Sequence, residues 1–368
     1  MKNILFYYPS NRRTIAIESL IIKFHEQGNR LNLLTQSAEG DLHEELKKQG
    51  IHTYSHFIEK KNAALYYLKH IIFLAQFCRK NKIDIVYSHL QQANIVAVFA
   101  QFLTKSKFFI CRHHSDKMRL DYNFNQNLFD KIINRLSKVI IVPSQKVYDE
   151  VTRLEKVPPR KVKLIRYGYD FSKYANPDPE LVNAIREKYK ARLLILKIAR
   201  LVPSKRHILL FEVLNVLIKK EQMDIKLIAI SDGPLMNSLQ EYVTSNNLQN
   251  NIFILGNQST VMNYLQAADA IIHVSESEAS NNLIKEAALL KKCVLVCKDV
   301  GDFNEYIQQD HNGILLDKNE PEEDLKNNLK ALYHKKLDTS QMGNHLYSTV
   351  KSLFSIENVI GSYKEFNQ

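Results

Sequence analysis

The sequence predicts an α/β protein built from two doubly wound parallel sheets. Short runs rich in Ile, Val and Leu recur through the 368 residues without polar alternation, which is typical of strands buried on both faces of a parallel sheet. Between them lie segments with apolar residues at i, i+3 and i+4, the spacing of amphipathic helices. Because strand–helix units cross over in a right-handed sense, we expect two Rossmann-like domains facing each other across a cleft.

The repeated pattern gives a set of predicted strands and a domain boundary. The predicted strands are residues 3–8, 31–35, 84–88, 107–111, 138–142, 192–199, 225–231, 252–255, 270–274, 293–297 and 313–316. The predicted helices of the second half include residues 208–218, 235–243, 282–290 and 325–333. Asp170, Asn176, Pro177, Asp178 and Pro179 interrupt the pattern, which places domains at 1–170 and 171–354. We expect residues 355–368 to form a helix that returns to the first domain.

Composition limits the class of protein. Hydrophobic residues make up 45% and charged residues 24%, which is ordinary for a globular chain. No apolar run approaches the roughly 18 residues of a spanning helix, and the run that ends at Pro9 is too short for a signal peptide. The four cysteines have no Cys-x-x-Cys spacing, and three of them lie in strand-like runs. Buried thiols in a cytoplasmic protein are therefore expected.

The positive charge is confined to the first half of the chain. Residues 1–175 carry 29 Lys and Arg against 15 Asp and Glu, whereas residues 176–368 carry 22 against 24. Such asymmetry suggests an anionic partner for the first half, either nucleic acid, a membrane surface or a phosphorylated substrate, with general solubility as the plain alternative. No recognised nucleic-acid module occurs, so no nucleic-acid partner is predicted.

Two cations lie in a loop between a predicted strand and a helix of the second half. Arg200 and Lys205 are five residues apart, at the carboxyl end of the strand, where ligands bind in open α/β sheets. An Arg fork and a Lys point charge could together hold the two phosphates of a diphosphate. Solvated loop cations are the alternative interpretation.

A second cluster begins at Glu278. Ser280, Asn281 and Asn282 are typical helix-starting residues, and the free N–H groups of a first turn form an anion site. Glu286 would lie about one turn inside this helix, where a carboxylate can accept hydrogen bonds from vicinal ribose hydroxyls. Glu278 would lie on the loop above it, within reach of a sugar. Ordinary surface carboxylates are the alternative for both.

In order and spacing, these features resemble the donor domain of retaining GT-B glycosyltransferases, above all glycosyltransferase family 4 (glycosyl transferases group 1). The matching points are Arg200-Leu201 with Lys205, Asp232-Gly233-Pro234, Leu255-Gly256, Glu278 with Glu286, Gly301 with Glu305, and Asn312-Gly313. The chain departs from the family's glycines at Ala199, Arg206, Ser231, Ala279 and Asp302. The charged groups stay in place, so the departures concern loop geometry and sugar preference.

The first half resembles the family's acceptor domain less closely. Arg12 and Arg13 replace the usual glycine loop after the first strand and could hold an anionic acceptor, with two exposed arginines as the alternative. His89, a further candidate for acceptor contact, follows the predicted strand 84–88, and His113, also an acceptor candidate, and His114 follow the next strand. The resemblance implies that one of these last two reaches the transferred sugar, and His114 is slightly favoured.

The resemblance implies a retaining transfer from a nucleotide-diphosphate sugar to a saccharide or lipid-linked saccharide. His114, Arg200, Lys205 and Glu278 would be catalytic, with Arg200, Lys205, Ser280, Asn281, Asn282 and Glu286 holding the donor. No Asp-x-Asp metal motif is present, so neither a metal nor another cofactor is expected. A non-catalytic nucleotide-sugar-binding partner of another transferase is the alternative.

The basic, aromatic-rich segment at residues 57–82 suggests a place for membrane contact. A basic amphipathic helix can lie on an anionic bilayer, although its apolar face could equally pack on the sheet. We therefore expect a cytoplasmic protein, with peripheral association at the inner face of the cytoplasmic membrane through residues 1–175 as a hypothesis.

Overall fold

The computed structural model describes residues 1–115, 124–174 and 176–366, and it divides into two compact units. The first comprises Met1–Asp170 with Phe354–Gln368, and the second comprises Phe171–Leu353. Each unit contains one parallel sheet with helices on its faces. The predicted α/β class with two doubly wound sheets is therefore confirmed.

The first unit is a seven-stranded sheet of order β3-β2-β1-β4-β5-β6-β7. Its strands are β1 (Asn3–Tyr8), β2 (Arg30–Thr35), β3 (His52–Ser55), β4 (Ile85–His89), β5 (Lys107–Cys111), β6 (Ile140–Val142) and β7 (Val162–Leu164). Its α-helices are Ile15–Glu26, Asp41–Lys48, Ala63–Lys80, Gln91–Ala100, Phe124–Leu136, Gln145–Asp149 and Ile356–Val359. Strand order reverses between β1 and β4, where neighbouring crossovers leave in opposite directions.

The second unit is a six-stranded sheet of order β10-β9-β8-β11-β12-β13. Its strands are β8 (Leu193–Ile198), β9 (Ile225–Ile230), β10 (Ile252–Ile254), β11 (Ala270–His273), β12 (Cys293–Cys297) and β13 (Ile314–Leu316). Its α-helices are Pro179–Lys188, His207–Lys219, Met236–Ser245, Val261–Ala267, Asn282–Leu289, Phe303–Tyr306, Pro321–Tyr333 and Thr339–Phe354. Here the order reverses between β8 and β11.

The sequence pattern located the central strands but missed two edge strands. In β3, which has the sequence His-Thr-Tyr-Ser, the side chains are exposed or half-buried, so no apolar run marks it. In β7, which has three residues, Val162 is buried and the next two side chains are half-buried. An edge strand pairs on one side and needs less apolar surface, which is why both escaped a search for buried runs.

The C-terminal segment is not the single helix that was expected. A short α-helix, Ile356–Val359, is followed by a 3-10 helix, Ile360–Phe366, and residues 367 and 368 lie outside the described part. The segment belongs to the first unit. Tyr363 packs edge-on against Phe24 and Tyr87, with ring centroids 5.5 and 5.8 Å away. The tail thereby completes the apolar cluster on one face of the first sheet.

All four cysteines are buried free thiols, two in each unit. Burial raises the pKa of Cys78 and Cys293 to about 12 and that of Cys297 to about 11. Among the helices described, none combines the length and the apolarity that crossing a bilayer requires.

Replacing Tyr363 by alanine should destabilise the first unit, because its ring is 6% exposed within that cluster. Truncating a buried aromatic side chain costs about 3–5 kcal/mol. Urea unfolding followed by circular dichroism measures the change. Gly361→Ala is the matched control, since a Cβ at Gly361 would meet nothing within 4 Å. Equal stability of the two variants would contradict the assigned role of the tail.

Candidate active site

The predicted donor residues meet at the carboxyl edge of the second sheet, where the strand order reverses. The loop after β8 and the loop after β11 leave neighbouring strands there, and the backbone N–H of Glu276 donates to the carbonyl of Ser204 at 2.9 Å. In open α/β sheets this reversal point forms the ligand crevice. Two loops separated by about 70 residues of chain are thus held against each other by a backbone hydrogen bond.

The turn after β9 fixes the loop that carries Arg200. The N–H of Leu201 donates to the carbonyl of Asp232 at 3.0 Å, and the N–H of Leu235 donates to the carbonyl of Leu201 at 3.1 Å. A Cβ at Gly233 would lie 2.5 Å from the carbonyl oxygen of Leu201, so only glycine allows this approach. Arg200 itself is exposed on the loop.

Glu278 lies at the centre of the cluster and receives two hydrogen bonds on one oxygen. Lys205 Nζ donates to Glu278 Oε1 at 2.5 Å, and His273 Nε2 lies 2.7 Å from the same oxygen. Burial acts to raise the pKa of Glu278, but the hydrogen bond from His273 and the charge and hydrogen bond of Lys205 outweigh it and hold the pKa well below its usual range. Glu278 is therefore an ionised carboxylate in a buried setting.

A glycine makes room for Glu278. Gly301 has φ +55°, and a Cβ there would lie 2.8 Å from the Cβ of Glu278. Any other residue at position 301 would both strain the backbone and displace the carboxylate loop. The family's glycine is retained here, whereas the next position is Asp302.

The helix Asn282–Leu289 begins beside Glu278. Asn281 caps it, because its side-chain oxygen accepts the N–H of Ile284 at 3.2 Å. Ser280 Oγ donates to Asp302 Oδ2 at 2.5 Å, and Asn282 is half-buried at the first helical position. The side chains of Ser280 and Asn281 are thus engaged within the protein, which leaves backbone N–H groups as the way for this turn to meet an anion.

A buried ion pair lies beneath this turn. Lys285 Nζ donates to Asp302 Oδ2 at 2.5 Å and to Ser280 Oγ at 3.1 Å, and neither charged side chain is exposed. The ammonium also lies over the ring of Tyr306, 4.8 Å from its centroid. Asp302, which stands where the family has glycine, therefore ties the start of the helix to the loop after β12.

Glu286 lies one turn inside the helix and is partly exposed. Burial raises its pKa to about 7, so near neutral pH the protonated and ionised forms are both populated. Burial, followed by the charge of Glu286, raises the pKa of Tyr174. The structure places Glu286 where the sequence predicted it, on the same helix as the Asn281 cap.

Arg206 and Ser231 occupy backbone conformations that favour glycine. Their φ values are +50° and +134°, which explains the glycines that the family has at both positions. Arg206 is compensated by its contacts, since its guanidinium donates to Glu276 Oε1 at 3.1 Å and to the carbonyl of Lys318 at 2.7 Å. These bonds tie the loop after β8 to its neighbours.

In the first unit, two of the predicted histidines form a buried chain. His89 Nδ1 lies 2.8 Å from His113 Nε2, and His113 Nδ1 lies 2.5 Å from the hydroxyl of Tyr167. Burial, followed by the effect of His113, lowers the pKa of His89 well below the usual value, and burial, followed by the effect of His114, lowers that of His113 to about 3. Both rings are therefore neutral at physiological pH.

His114 has separate partners. Its Nε2 lies 2.9 Å from Asp130 Oδ2, while Gln91 donates to the other oxygen of Asp130 at 2.9 Å. Burial acts to raise the pKa of Asp130, but the hydrogen bond and charge of His114 lower it overall. β5 ends at Cys111, before either histidine, and the two rings take different partners.

The two arginines predicted for an acceptor differ in their surroundings. Arg13 forms a bidentate ion pair with Glu18, at 2.9 and 2.7 Å, and a longer one with Glu45 at 3.4 Å. Arg12 is exposed, and its backbone N–H donates to Ser10 Oγ at 3.1 Å. The charge of Arg13 is thus matched within the protein, and Arg12 is the better placed of the two to meet an anion.

Three residues of the second-unit cluster were missed from the sequence. His273 is the last residue of β11 and lies one position before the end of the predicted strand 270–274. A histidine near the end of a strand was the signal that identified His89, so His273 could have been found. Lys285 gave no signal, since a charge on an amphipathic helix usually faces solvent. Asp302 was noted only as a departure from the family's glycine, which does not indicate an ion pair. Within the described residues, no three His, Cys, Asp or Glu side chains are grouped so as to hold a metal ion.

Two protein-family profiles match the chain. The profile described as Glycosyltransferase Family 4 covers residues 15–173, and the profile described as Glycosyl transferases group 1 covers residues 180–348. The first match lies almost wholly in the first unit and the second match in the second unit. Together they leave short segments at the two ends and between the units unmatched.

Two relatives are identical to the chain at about a quarter of the aligned residues. An uncharacterized glycosyltransferase of Methanocaldococcus jannaschii is 26% identical over 240 residues, which are 62% of this chain and 59% of that protein. The N-acetylgalactosamine-N,N'-diacetylbacillosaminyl-diphospho-undecaprenol 4-alpha-N-acetylgalactosaminyltransferase of Campylobacter jejuni is 25% identical over 277 residues, which are 71% and 72% of the two chains.

The fold of the whole chain has counterparts among solved structures. The Anabaena protein HepE in complex with UDP-glucose has a TM-score of 0.81 and 19% identity, with 100% of this chain and 99% of that chain covered. At this identity the likeness shows a shared fold. With both units matched by family profiles and the complete fold shared, the chain belongs to the GT-B glycosyltransferases of family 4.

Proposed function

We propose that the chain is a retaining, metal-independent hexosyl- or N-acetylhexosaminyltransferase. It takes its sugar from a nucleotide-diphosphate donor, with UDP-sugars favoured and GDP-sugars next. The observation that carries this proposal is the arrangement of Lys205, Glu278 and the capped start of helix Asn282–Leu289 at one reversal point. Cationic groups, helix N–H groups and carboxylates meet there, as a diphosphate joined to two sugars requires.

The donor is held by separate groups for its separate parts. Arg200, Lys205 and the first turn of helix Asn282–Leu289 neutralise the diphosphate. Glu286 accepts hydrogen bonds from the ribose hydroxyls, and Glu278 accepts one from the transferred sugar. HepE, which shares the fold, has been crystallised with UDP-glucose, and this supports a nucleotide sugar as ligand.

Leaving-group stabilisation by cationic side chains supports the metal-independent mechanism. As the glycosidic C–O bond breaks, negative charge develops on the departing diphosphate, and Arg200 and Lys205 stabilise it electrostatically. The acceptor hydroxyl attacks the same face of the sugar and passes its proton to the leaving phosphate oxygen, so the configuration is retained. His114, oriented by Asp130 at 2.9 Å, positions a hydroxyl of the sugar.

The acceptor is a saccharide or lipid-linked saccharide used to build a surface polysaccharide or glycolipid. The Campylobacter relative acts on a diphospho-undecaprenol-linked saccharide, which supports an acceptor of this class. Arg12 is the proposed anion contact of the first unit. The enzyme would work in the cytoplasm, at the inner face of the cytoplasmic membrane.

Membrane association is proposed through the helix Ala63–Lys80. Leu65, Leu68 and Ile72 form an apolar ridge on it, with exposures of 49%, 52% and 44%. Residues 57–82 contain six Lys and Arg and one carboxylate, Glu59, which pairs with Lys61 at 3.2 Å, so little negative charge opposes contact with an anionic surface. Apolar insertion and electrostatic attraction then act together, the latter adding ~1 kcal/mol per surface cation.

Lys205→Ala and Glu286→Ala should each weaken binding of the nucleoside diphosphate. One removes a counter-charge of the diphosphate and the other removes the ribose acceptor, and hydrogen bonds to charged groups contribute about 1.5–3 kcal/mol. Calorimetry with UDP and GDP in EDTA measures the affinity, and a screen of UDP-, GDP- and ADP-sugars measures donor hydrolysis. Lys336→Ala, at an exposed site, is the control. Unchanged affinities would contradict the donor site, and binding without turnover would favour the non-catalytic alternative.

The affinity for UDP should rise between pH 6 and pH 8. The pKa of Glu286 is raised to about 7, and only its ionised form accepts two ribose hydrogen bonds. The rise follows the fraction ionised and levels off above the pKa. Glu286→Gln keeps the shape without the titration, so any pH dependence left in this variant belongs to the phosphate of UDP. Identical pH profiles for both proteins would rule out ribose recognition by Glu286.

Liposome flotation should show binding that needs anionic lipid and weakens above roughly 0.15 M salt. Reversing Lys60, Lys61 and Lys69 to Glu should abolish it, and changing Leu65 and Leu68 to Ser should reduce it at low salt. The control reverses Lys190, Lys219 and Lys220, which are exposed on the second unit and give the same change in charge. Equal loss in the control, or binding indifferent to lipid charge, would point to a small soluble acceptor instead.

A further inference from the structure

His273 is a buried imidazole that contacts the central carboxylate directly. It ends β11, is 1% exposed, and meets the ring of Phe303 edge-on at 6.0 Å. Its Nε2 and the ammonium of Lys205 both bind Oε1 of Glu278, at 2.7 and 2.5 Å. Both donors use the same oxygen, so the second oxygen of Glu278 is the one left to accept a hydroxyl from a ligand.

The ionised carboxylate of Glu278 decides which ring nitrogen of His273 carries the hydrogen. Asn281 Oδ1 accepts the N–H of Ile284, so its amide nitrogen is the atom that lies 3.1 Å from His273 Nε2. One ring nitrogen cannot both donate to Glu278 and accept from Asn281. Because Glu278 is ionised, the hydrogen belongs on Nε2 and is donated to the carboxylate. Burial lowers the pKa of His273, which leaves its ring neutral, and Nδ1 has no hydrogen-bond partner among the described residues.

Donor binding changes the partners that are available to Glu278. Lys205 has one ammonium, and it already neutralises Glu278. A diphosphate carries more charge than a carboxylate and draws the ammonium towards itself. If the ammonium moves to the diphosphate, Glu278 loses its ion-pair partner when the sugar is bound. The remaining donor to Oε1 is the imidazole of His273. This ring is neutral, so the diphosphate does not attract it, and it is held at the end of β11.

We infer that His273 is a positioning residue, which holds the carboxylate of Glu278 towards the donor sugar when Lys205 turns to the diphosphate. This inference rests on the proposed function. It concerns the sugar part of the donor alone, since the groups proposed to hold the nucleoside diphosphate are Arg200, Lys205 and Glu286. Loss of His273 should therefore separate binding of the nucleoside diphosphate from use of the nucleotide sugar.

Three substitutions at this position test the geometry of the hydrogen bond. In His273→Gln the side-chain amide nitrogen can take the place of Nε2, whereas in His273→Asn it reaches only the place of Nδ1. His273→Leu keeps the volume and removes every donor. The donor used is the nucleotide sugar that the wild type consumes fastest in a panel of UDP-, GDP- and ADP-sugars, and the ligand is its nucleoside diphosphate.

Turnover by the Asn and Leu variants should fall about 10- to 100-fold, the usual effect of one lost hydrogen bond to a charged group. The Gln variant should keep most of the activity. All three should bind the nucleoside diphosphate within about twofold of the wild type, which also shows that the site is folded. This pattern separates positioning from packing, because Leu fills the space best and should nevertheless fail.

Two outcomes of the turnover assay would overturn the inference. One is wild-type turnover in the Leu variant, and the other is a Gln variant as slow as the Asn and Leu variants. Parallel loss of nucleoside diphosphate binding and turnover would also refute it, because His273 would then support the whole site. A wild type that binds a nucleoside diphosphate but consumes no nucleotide sugar would refute the proposed transfer itself, before any variant is compared.

Discussion

The ionised carboxylate of Glu278 is the group on which the second-unit site depends. A buried negative charge is costly unless donors surround it, and here Lys205 comes from the loop after β8 while His273 comes from the end of β11. Stabilising the charge of Glu278 therefore requires the loop after β8 to contact the segment that follows β11. Three features allow this contact. They are the close approach of Gly301 to Glu278, the αL backbone of Arg206, and the hydrogen bond between Ser204 and Glu276.

The fold could be predicted from sequence because its central strands are buried on both faces. That burial produces unbroken apolar runs, and β1, β5 and β12 were located to the residue. β3 and β7 lie at edges, where half-exposed side chains give no such run. The tail was predicted as one helix, but four α-helical residues are followed by a 3-10 helix. Side-chain packing against the first sheet determines this change, and the spacing of apolar residues in the sequence does not indicate it.

The site was predictable in part. Lys205, Glu278 and Glu286 were found because their spacing matches a known family, and the structure places them around one reversal point. His273 bonds to Glu278, whereas Lys285 and Asp302 form an ion pair at the start of the helix that carries Glu286. Family motifs mark ligand-binding positions and do not mark the residues that hold them in place. Asp302 was noticed as a missing glycine, yet its partner Lys285 lies 17 residues away in sequence, so their pairing becomes visible only when the helix and the loop are folded together.

The reactivity of the buried thiols reports the unfolding of each unit. The thiolate is the form that reacts with alkylating reagents, and burial raises the pKa of these cysteines so far that very little thiolate exists in the folded state. Cys78 and Cys111 lie in the first unit, and Cys293 and Cys297 in the second. Each unit therefore has its own pair of unreactive thiols, which become reactive when that unit unfolds, and the order in which the pairs react is the order in which the two units unfold.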